Sequence, residues 1–155
     1  MLTQQTGWVI PDEWYQDIPN QYPDLDKYID LRNPREPAEA AQQALDIALR
    51  KKLFVKGTNI PLIVHQTWKN CDSDAWSDRL RASVEGWLEA TTGESEETWD
   101  KPRMAYIFWD DVGIAKFFSL YEPLIADIAA QLPYGVEKAD IFRVAVLKWF
   151  GGVVS

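Results

Sequence analysis

Residues 60–70 read IPLIVHQTWKN. Ile60, Leu62, Ile63 and Val64 make the front half apolar and β-rich, whereas His65, Gln66, Thr67, Lys69 and Asn70 make the back half polar. That is the pattern of a buried strand opening into a loop. A second such run, MAYIFW at 104–109, ends on Asp110 and Asp111. Between the two, residues 73–90 place Trp76, Leu80, Val84, Trp87 and Leu88 on one helical face, and 91–102 form an acidic loop closed by Pro102. Strand, helix, strand with connections of this size predicts an α/β fold with a parallel sheet and right-handed crossovers. Two strands do not complete an open sheet, so further structure is expected beyond them.

Working outward, Asp110 and Asp111 can cap a helix carrying Ile114, Phe117, Phe118 and Tyr121. A short helix through Ile125 and Ile128 follows, then LPYG and a closing helix from about 136 to 150. Upstream, residues 8–37 mix Pro, Asp, Asn and aromatics without sustained period, an irregular arm. Residues 36–55 carry Ala40, Ala44, Ile47, Ala48 and Leu53 at helical spacing. The composition shift near Gly57 divides the chain into 1–58, arm and amphipathic helix, and 59–155, the α/β unit.

Composition limits the function classes. The 155 residues are 46% hydrophobic and 13% aromatic, a globular composition able to bury about 70% of its unfolded surface. A formal charge of -8 argues against nucleic-acid binding, which rests on neutralising phosphates with Lys and Arg. An acidic enzyme can still hold an anionic nucleotide locally. Cys71 is the single cysteine, which excludes an intrachain disulfide and a cysteine-rich zinc site. No window approaches the roughly 18 apolar residues of a membrane span, and residues 1–10 lack signal-peptide features, so the chain reads as soluble.

In a parallel sheet, ligands sit outside the carboxyl ends of the strands, where His65-Gln66-Thr67-Trp68 and Asp110-Asp111 both fall. His65 is the single histidine, so a histidine zinc cluster is excluded, and a Ser-His-Asp triad would need this residue. No GxSxG elbow accompanies it, and a lone His closing an apolar strand reads first as a structural hydrogen-bond partner. Trp68 either offers its face to a nucleobase, worth ~1 to 3 kcal/mol, or packs as a rim aromatic. Asp140 and Arg143 stand three apart on an otherwise apolar, and so buried, helix. They are either an internal ion pair or a pocket pair, the carboxylate accepting from sugar hydroxyls and the guanidinium facing phosphate. A dinucleotide oxidoreductase is disfavoured because no GxGxxG follows the first strand.

VHQTWKN (64–70), IFWDD (107–111), LP (132–133) and KADIFRVAVLKWFGG (138–152), in this order, resemble glycosyltransferase family 32, whose members are similar to fungal initiating α-1,6-mannosyltransferases and sphingolipid mannosyltransferase subunits. The resemblance covers about 60–153, and K-A-D-x-x-R followed by an apolar run and Gly-Gly is its most specific part. It implies a Rossmann-like GT-A fold, here in part, that binds a nucleotide-sugar, GDP-mannose, and a divalent metal, commonly Mn2+. The implied activity is retaining transfer of a hexose, mannose, to a glycan or glycolipid acceptor. Position by position, Trp68 would stack near the base, with His65, Gln66 and Thr67 shaping that strand end. Asp140 and Arg143 match the D-x-x-R that contacts donor sugar and nucleotide, Asp110 would lie near the donor, and Gly151 and Gly152 match the turn into the next strand.

In the family that next strand carries an aromatic and then a D-x-D motif holding the metal. Here Val154 occupies the aromatic position and Ser155 is the last residue. Asp72-Ser73-Asp74 and Asp24-Leu25-Asp26 fit the tripeptide, but neither follows a Gly-Gly turn into a strand. The resemblance therefore implies an incomplete transferase domain, inactive alone and lacking the metal ligands, with a non-catalytic nucleotide-sugar-binding or partner-binding remnant as the competing reading. It also implies Golgi residence through an N-terminal anchor that this chain does not carry. An exposed sheet edge near Val153 and self-association are expected.

Overall fold

The two apolar runs are strands, and the periodic segments before, between and after them are helices. The computed structural model describes residues 7–18, 32–70, 72–92 and 103–155. In chain order its elements are β1 (Trp8–Val9), α1 (Pro37–Lys51), β2 (Ile63–Thr67), α2 (Asp78–Thr92), β3 (Ala105–Trp109), α3 (Asp111–Tyr121), α4 (Pro123–Gln131), α5 (Gly135–Phe150) and β4 (Val153–Val154). Single 3-10 turns precede α1, at Asp12–Tyr15, and α2, at Ser73–Ala75.

The chain is an α/β protein with an open, mixed four-stranded sheet in the order β1-β3-β2-β4, compatible with part of a Rossmann-like fold. β2 and β3 pair in parallel, from Ile63 opposite Ala105 to Thr67 opposite Trp109. β4 joins the other side of β2, also parallel, with Val154 opposite His65. The edge expected near Val153 therefore belongs to β4, whose own first neighbour is already in place.

Three local expectations are corrected. The arm is not wholly irregular: Trp8 and Val9 pair antiparallel with Ile107 and Tyr106, which makes the sheet mixed rather than parallel throughout. Trp76 lies ahead of α2 rather than within it, because Asp72 Oδ1 accepts from the Asp74 N–H at 3.3 Å and closes a separate turn. α1 ends at Lys51, with Lys52 left-handed at φ 54°, so Leu53 lies outside the helix.

Strand alternation sends successive side chains to opposite faces. Ile63, Ala105, Ile107 and Trp109 face the larger core with Ile47 of α1, Phe117 of α3 and Phe142, Val146 and Phe150 of α5. Val64, Tyr106 and Phe108 face the smaller one, against Val84 of α2 and the partly buried Trp76 and Trp87. Alanines 40, 41, 44 and 48, all fully buried, let α1 lie close in the larger core. Trp109 is the hub of that core, its ring centroid 4.9 Å from Phe142, 5.8 Å from Phe117 and 6.3 Å from Phe150.

The connection from α5 to β4 is set by backbone contact. Gly151 and Gly152 have φ of 62° and 90°, and a Cβ on Gly152 would stand 2.4 Å from the Ile63 carbonyl oxygen. Only glycine lets β4 approach β2 this closely. The last turn of α5 is fixed from the other side, since Lys148 Nζ and Trp149 Nε1 donate to Glu122 Oε1 at 2.6 and 2.9 Å. Because Glu122 ends α3, and α3 starts at the carboxyl end of β3, the first turns of α5 lie toward the carboxyl edge of the strands.

Gly57 supplies the control for this constraint: its φ is 77°, but a Cβ there meets nothing within 4 Å. Gly57→Ala is expected to cost about 1 kcal/mol, and Gly152→Ala about 3 kcal/mol or more, read as urea midpoints. Equal losses would mean that the approach to Ile63 does not fix the turn.

Candidate functional site

β2 and β3 end level, and the ladder continues one step past them: the Trp68 N–H donates to the Trp109 carbonyl at 3.0 Å. The Asp111 N–H reaches the Lys69 carbonyl at 3.3 Å, so the two strand-end loops stay joined. Along this lip Thr67 is half-buried and Trp68 is 38% exposed. Asp110 caps α3, its Oδ1 accepting from the Gly113 N–H at 2.7 Å.

His65 and Gln66 turn inward from the same strand end. His65 is fully buried, with Nε2 3.0 Å from the Gly151 carbonyl oxygen and Nδ1 3.1 Å from Trp109 Nε1. An indole N–H only donates, so Nδ1 must be the bare acceptor and the proton must sit on Nε2, donated to Gly151. Burial lowers the pKa of His65 to about 4, against a smaller opposing pull from the Gly151 carbonyl. The ring is neutral at pH 7 and works as the structural hydrogen-bond partner that a lone strand histidine suggests.

Gln66, on the opposite face, accepts from the Tyr106 hydroxyl at 2.6 Å and donates to Ser83 Oγ at 3.0 Å, fastening α2 to the sheet. Burial pushes the Tyr106 phenol well above its ordinary range, so it stays a donor. At the end of β4 the Ser155 N–H donates to the His65 carbonyl at 2.9 Å, and Trp87 Nε1 donates to Ser155 Oγ at 2.8 Å.

Asp140 and Arg143 pair with each other, Nη1 to Oδ1 at 2.7 Å, but on the surface: their side chains are 66% and 43% exposed. The apolar composition of α5 suggested burial, and the difference has a plain cause. Phe142, Ala145, Val146 and Phe150 take the core face, while Val136, Val144 and Leu147 remain exposed. The pair therefore stands on the solvent side of α5, near the middle of the helix.

Sequence reasoning missed two features. One is Trp109 as the partner of His65; it lies in the quoted IFWDD, but only the register shows that the two meet. The other is a cleft of about 350 Å³ between α3, α4 and α5, floored by Ile114 and Phe118 and flanked by Asp111 and Lys138. Its one sequence signal is a set of small residues, including Ala115, Ala126, Ala129 and Ala130.

Among the described residues no group of three or more His, Cys, Asp or Glu is placed to hold a metal ion. Asp72 is engaged by the Asp74 N–H of its own turn. Asp24-Leu25-Asp26 and Cys71 lie outside the described residues.

No family model matches the chain, and no solved structure matches it. Two curated proteins of Schizosaccharomyces pombe are similar to it. Inositol phosphoceramide mannosyltransferase 3 is 28% identical over 95 residues, 61% of this chain and 23% of that protein. Inositol phosphoceramide mannosyltransferase 2 is 31% identical over 94 residues, 60% of this chain and 23% of that protein. The matched segment thus spans less than a quarter of either relative's length.

The geometry separates interior from surface roles. Trp109→Phe keeps most of the ring but strands the buried Nδ1 of His65, an expected loss of about 1–3 kcal/mol in urea unfolding. Asp140→Ala removes an exposed pair and should change stability by no more than roughly 0.5 kcal/mol. The reverse ranking would mean that these roles are misassigned.

Proposed function

We propose that residues 59–155 are the nucleotide-sugar-binding part of a mannosyltransferase domain of the glycosyltransferase family 32 type, acting with GDP-mannose as donor and a glycan or glycolipid as acceptor. The similarity to two mannosyltransferases over 94 and 95 residues carries the reading. The fold is compatible with it: Trp68 and Asp110 stand at the strand ends, and Asp140 and Arg143 form an exposed pair near the middle of α5. In open α/β sheets the carboxyl ends of the strands are where nucleotides bind.

On this reading the chain's residues bind and orient the donor. Trp68 offers an exposed ring face to the base. The Arg143 guanidinium faces the diphosphate, giving a net acidic chain a local cation where the anionic ligand lies. Asp140 accepts from sugar hydroxyls while holding Arg143 in place. His65, Gln66, Gly151 and Gly152 act from behind, by fixing the strand ends and the course of β4. Retention at the anomeric carbon and residence in the Golgi belong to the same proposal; no helix of the described residues is long and apolar enough to cross a membrane.

The Mn2+ that the resemblance implies does not fit the described residues, since Asp72 is committed to its own turn and no cluster of ligands stands at the strand ends. The proposal for this chain is therefore donor recognition, with no step assigned to a metal.

Calorimetric titration with GDP-mannose and UDP-glucose, with and without Mn2+, tests it. GDP-mannose should bind, and Trp68→Ala should weaken binding roughly 5- to 100-fold without moving the thermal midpoint. Arg143→Ala should weaken binding too, with a smaller effect at high salt. Absence of binding by either nucleotide-sugar at millimolar concentration would overturn the proposal.

A further inference from the structure

We infer that His65 is an acid-sensitive latch that holds β4 and the Gly151–Gly152 turn against the sheet. The inference rests on hydrogen-bond direction. In the neutral ring one nitrogen accepts from Trp109 Nε1 and the other donates to the Gly151 carbonyl. Uptake of a proton from solvent puts hydrogen on Nδ1 as well. Two donors then face each other across 3.1 Å, Trp109 Nε1–H and His65 Nδ1–H. Flipping the ring does not help, because an imidazolium has two donors and this pocket offers it one acceptor.

Among the described residues, the influences resolved on the ring include no counter-charge. β2 and β4 contribute no other titratable side chain, and Tyr106 of β3 points to the opposite face, where it bonds Gln66. On α5, Asp140 and Arg143 bond each other on the surface and Lys148 bonds Glu122. On α1, Glu39 takes Arg35, Asp46 accepts from Gln42, and Lys51 donates to the Glu13 and Gln16 carbonyls, with Arg50 beside it in the last turn. On α3, Asp111 sits in the first turn and Lys116 pairs with Glu36. The influences on the ring itself are burial and the Gly151 carbonyl.

Something must move when the ring is charged, and the sheet decides what. β3 is paired on both sides, with β1 and β2, and Trp109 is packed among Phe117, Phe142 and Phe150. Among the described residues β4 is two half-buried residues that pair with β2 and no other strand. The Gly turn and β4 therefore swing away while β2 and β3 stay paired. This opening exposes the ring to water, where its pKa returns toward 6.5 from about 4. Opening is favoured as pH falls below 6.5, and the effect levels off below about 4.

Two measurements on the whole chain test this. Amide hydrogen exchange, corrected for intrinsic rate, should show opening at 151–155 rising roughly 20-fold between pH 7 and pH 5, with 104–109 still protected, and no such rise in His65→Gln. Because His65 is the single histidine, ring-nitrogen NMR of the unaltered protein reads it directly. The neutral ring should show the proton on Nε2, and its titration should track the loss of protection at 151–155. The inference is overturned if the variant shows the same pH dependence, if protection falls equally at 104–109, or if the ring titrates without any change at 151–155.

Discussion

The indole N–H of Trp109 can only donate, and the arrangement of three chain segments follows from that restriction. It makes the facing nitrogen of His65 an acceptor, which puts the ring's proton on the far nitrogen and aims it at Gly151. A tryptophan on β3, a histidine on β2 and a backbone carbonyl past α5 are thus joined by a directional chain of buried groups. Each bond is worth about 1 kcal/mol net, but leaving any of these buried groups unpaired costs more. This asymmetry makes the linkage specific rather than merely stabilising.

The packing around these bonds explains their burial. Trp109 is enclosed by rings from α3 and α5, and Gly152 brings the backbone of β4 against Ile63, so that His65 and Trp109 are both fully buried. On the other face Gln66 plays the matching part with Tyr106 and Ser83, so adjacent residues of one strand secure the helical layers on both sides. Polar side chains in the middle of β2 are therefore consistent with a buried strand, because each has its partners. The strand-end lip, Trp68 and Asp110, inherits its position from these interior bonds.

Much of the fold was legible before the structure. Unbroken apolar runs at 60–64 and 104–109 suit a sheet covered on both faces, and the periodic segments before, between and after them supply the covers. What escaped was what depends on pairing over distance. Trp8 and Val9 carry no strand period of their own and are ordered by the free edge of β3. Trp76 looked helical by spacing, yet the Asp72 turn ends before α2 begins. The candidate site divided in the same manner: Trp68 and Asp110 fell where a strand end puts them, whereas burial of Asp140 and Arg143 was read from the mean character of α5, which hides that its apolar residues point both ways.

The sequence by itself determined the two central strands, the helices around them and their order, the glycine turn after α5 and the end of the sheet at which Trp68 and Asp110 stand, because period, turn chemistry and strand alternation are local properties of the chain. Only the tertiary structure decided that His65 bonds Trp109 and Gly151 instead of facing the strand-end lip, that the Asp140–Arg143 pair stands in solvent, and that β4 holds to β2 across two residues. Those outcomes depend on register and on which face of a helix meets the core, and both are fixed when segments far apart in sequence compete for the same buried surface.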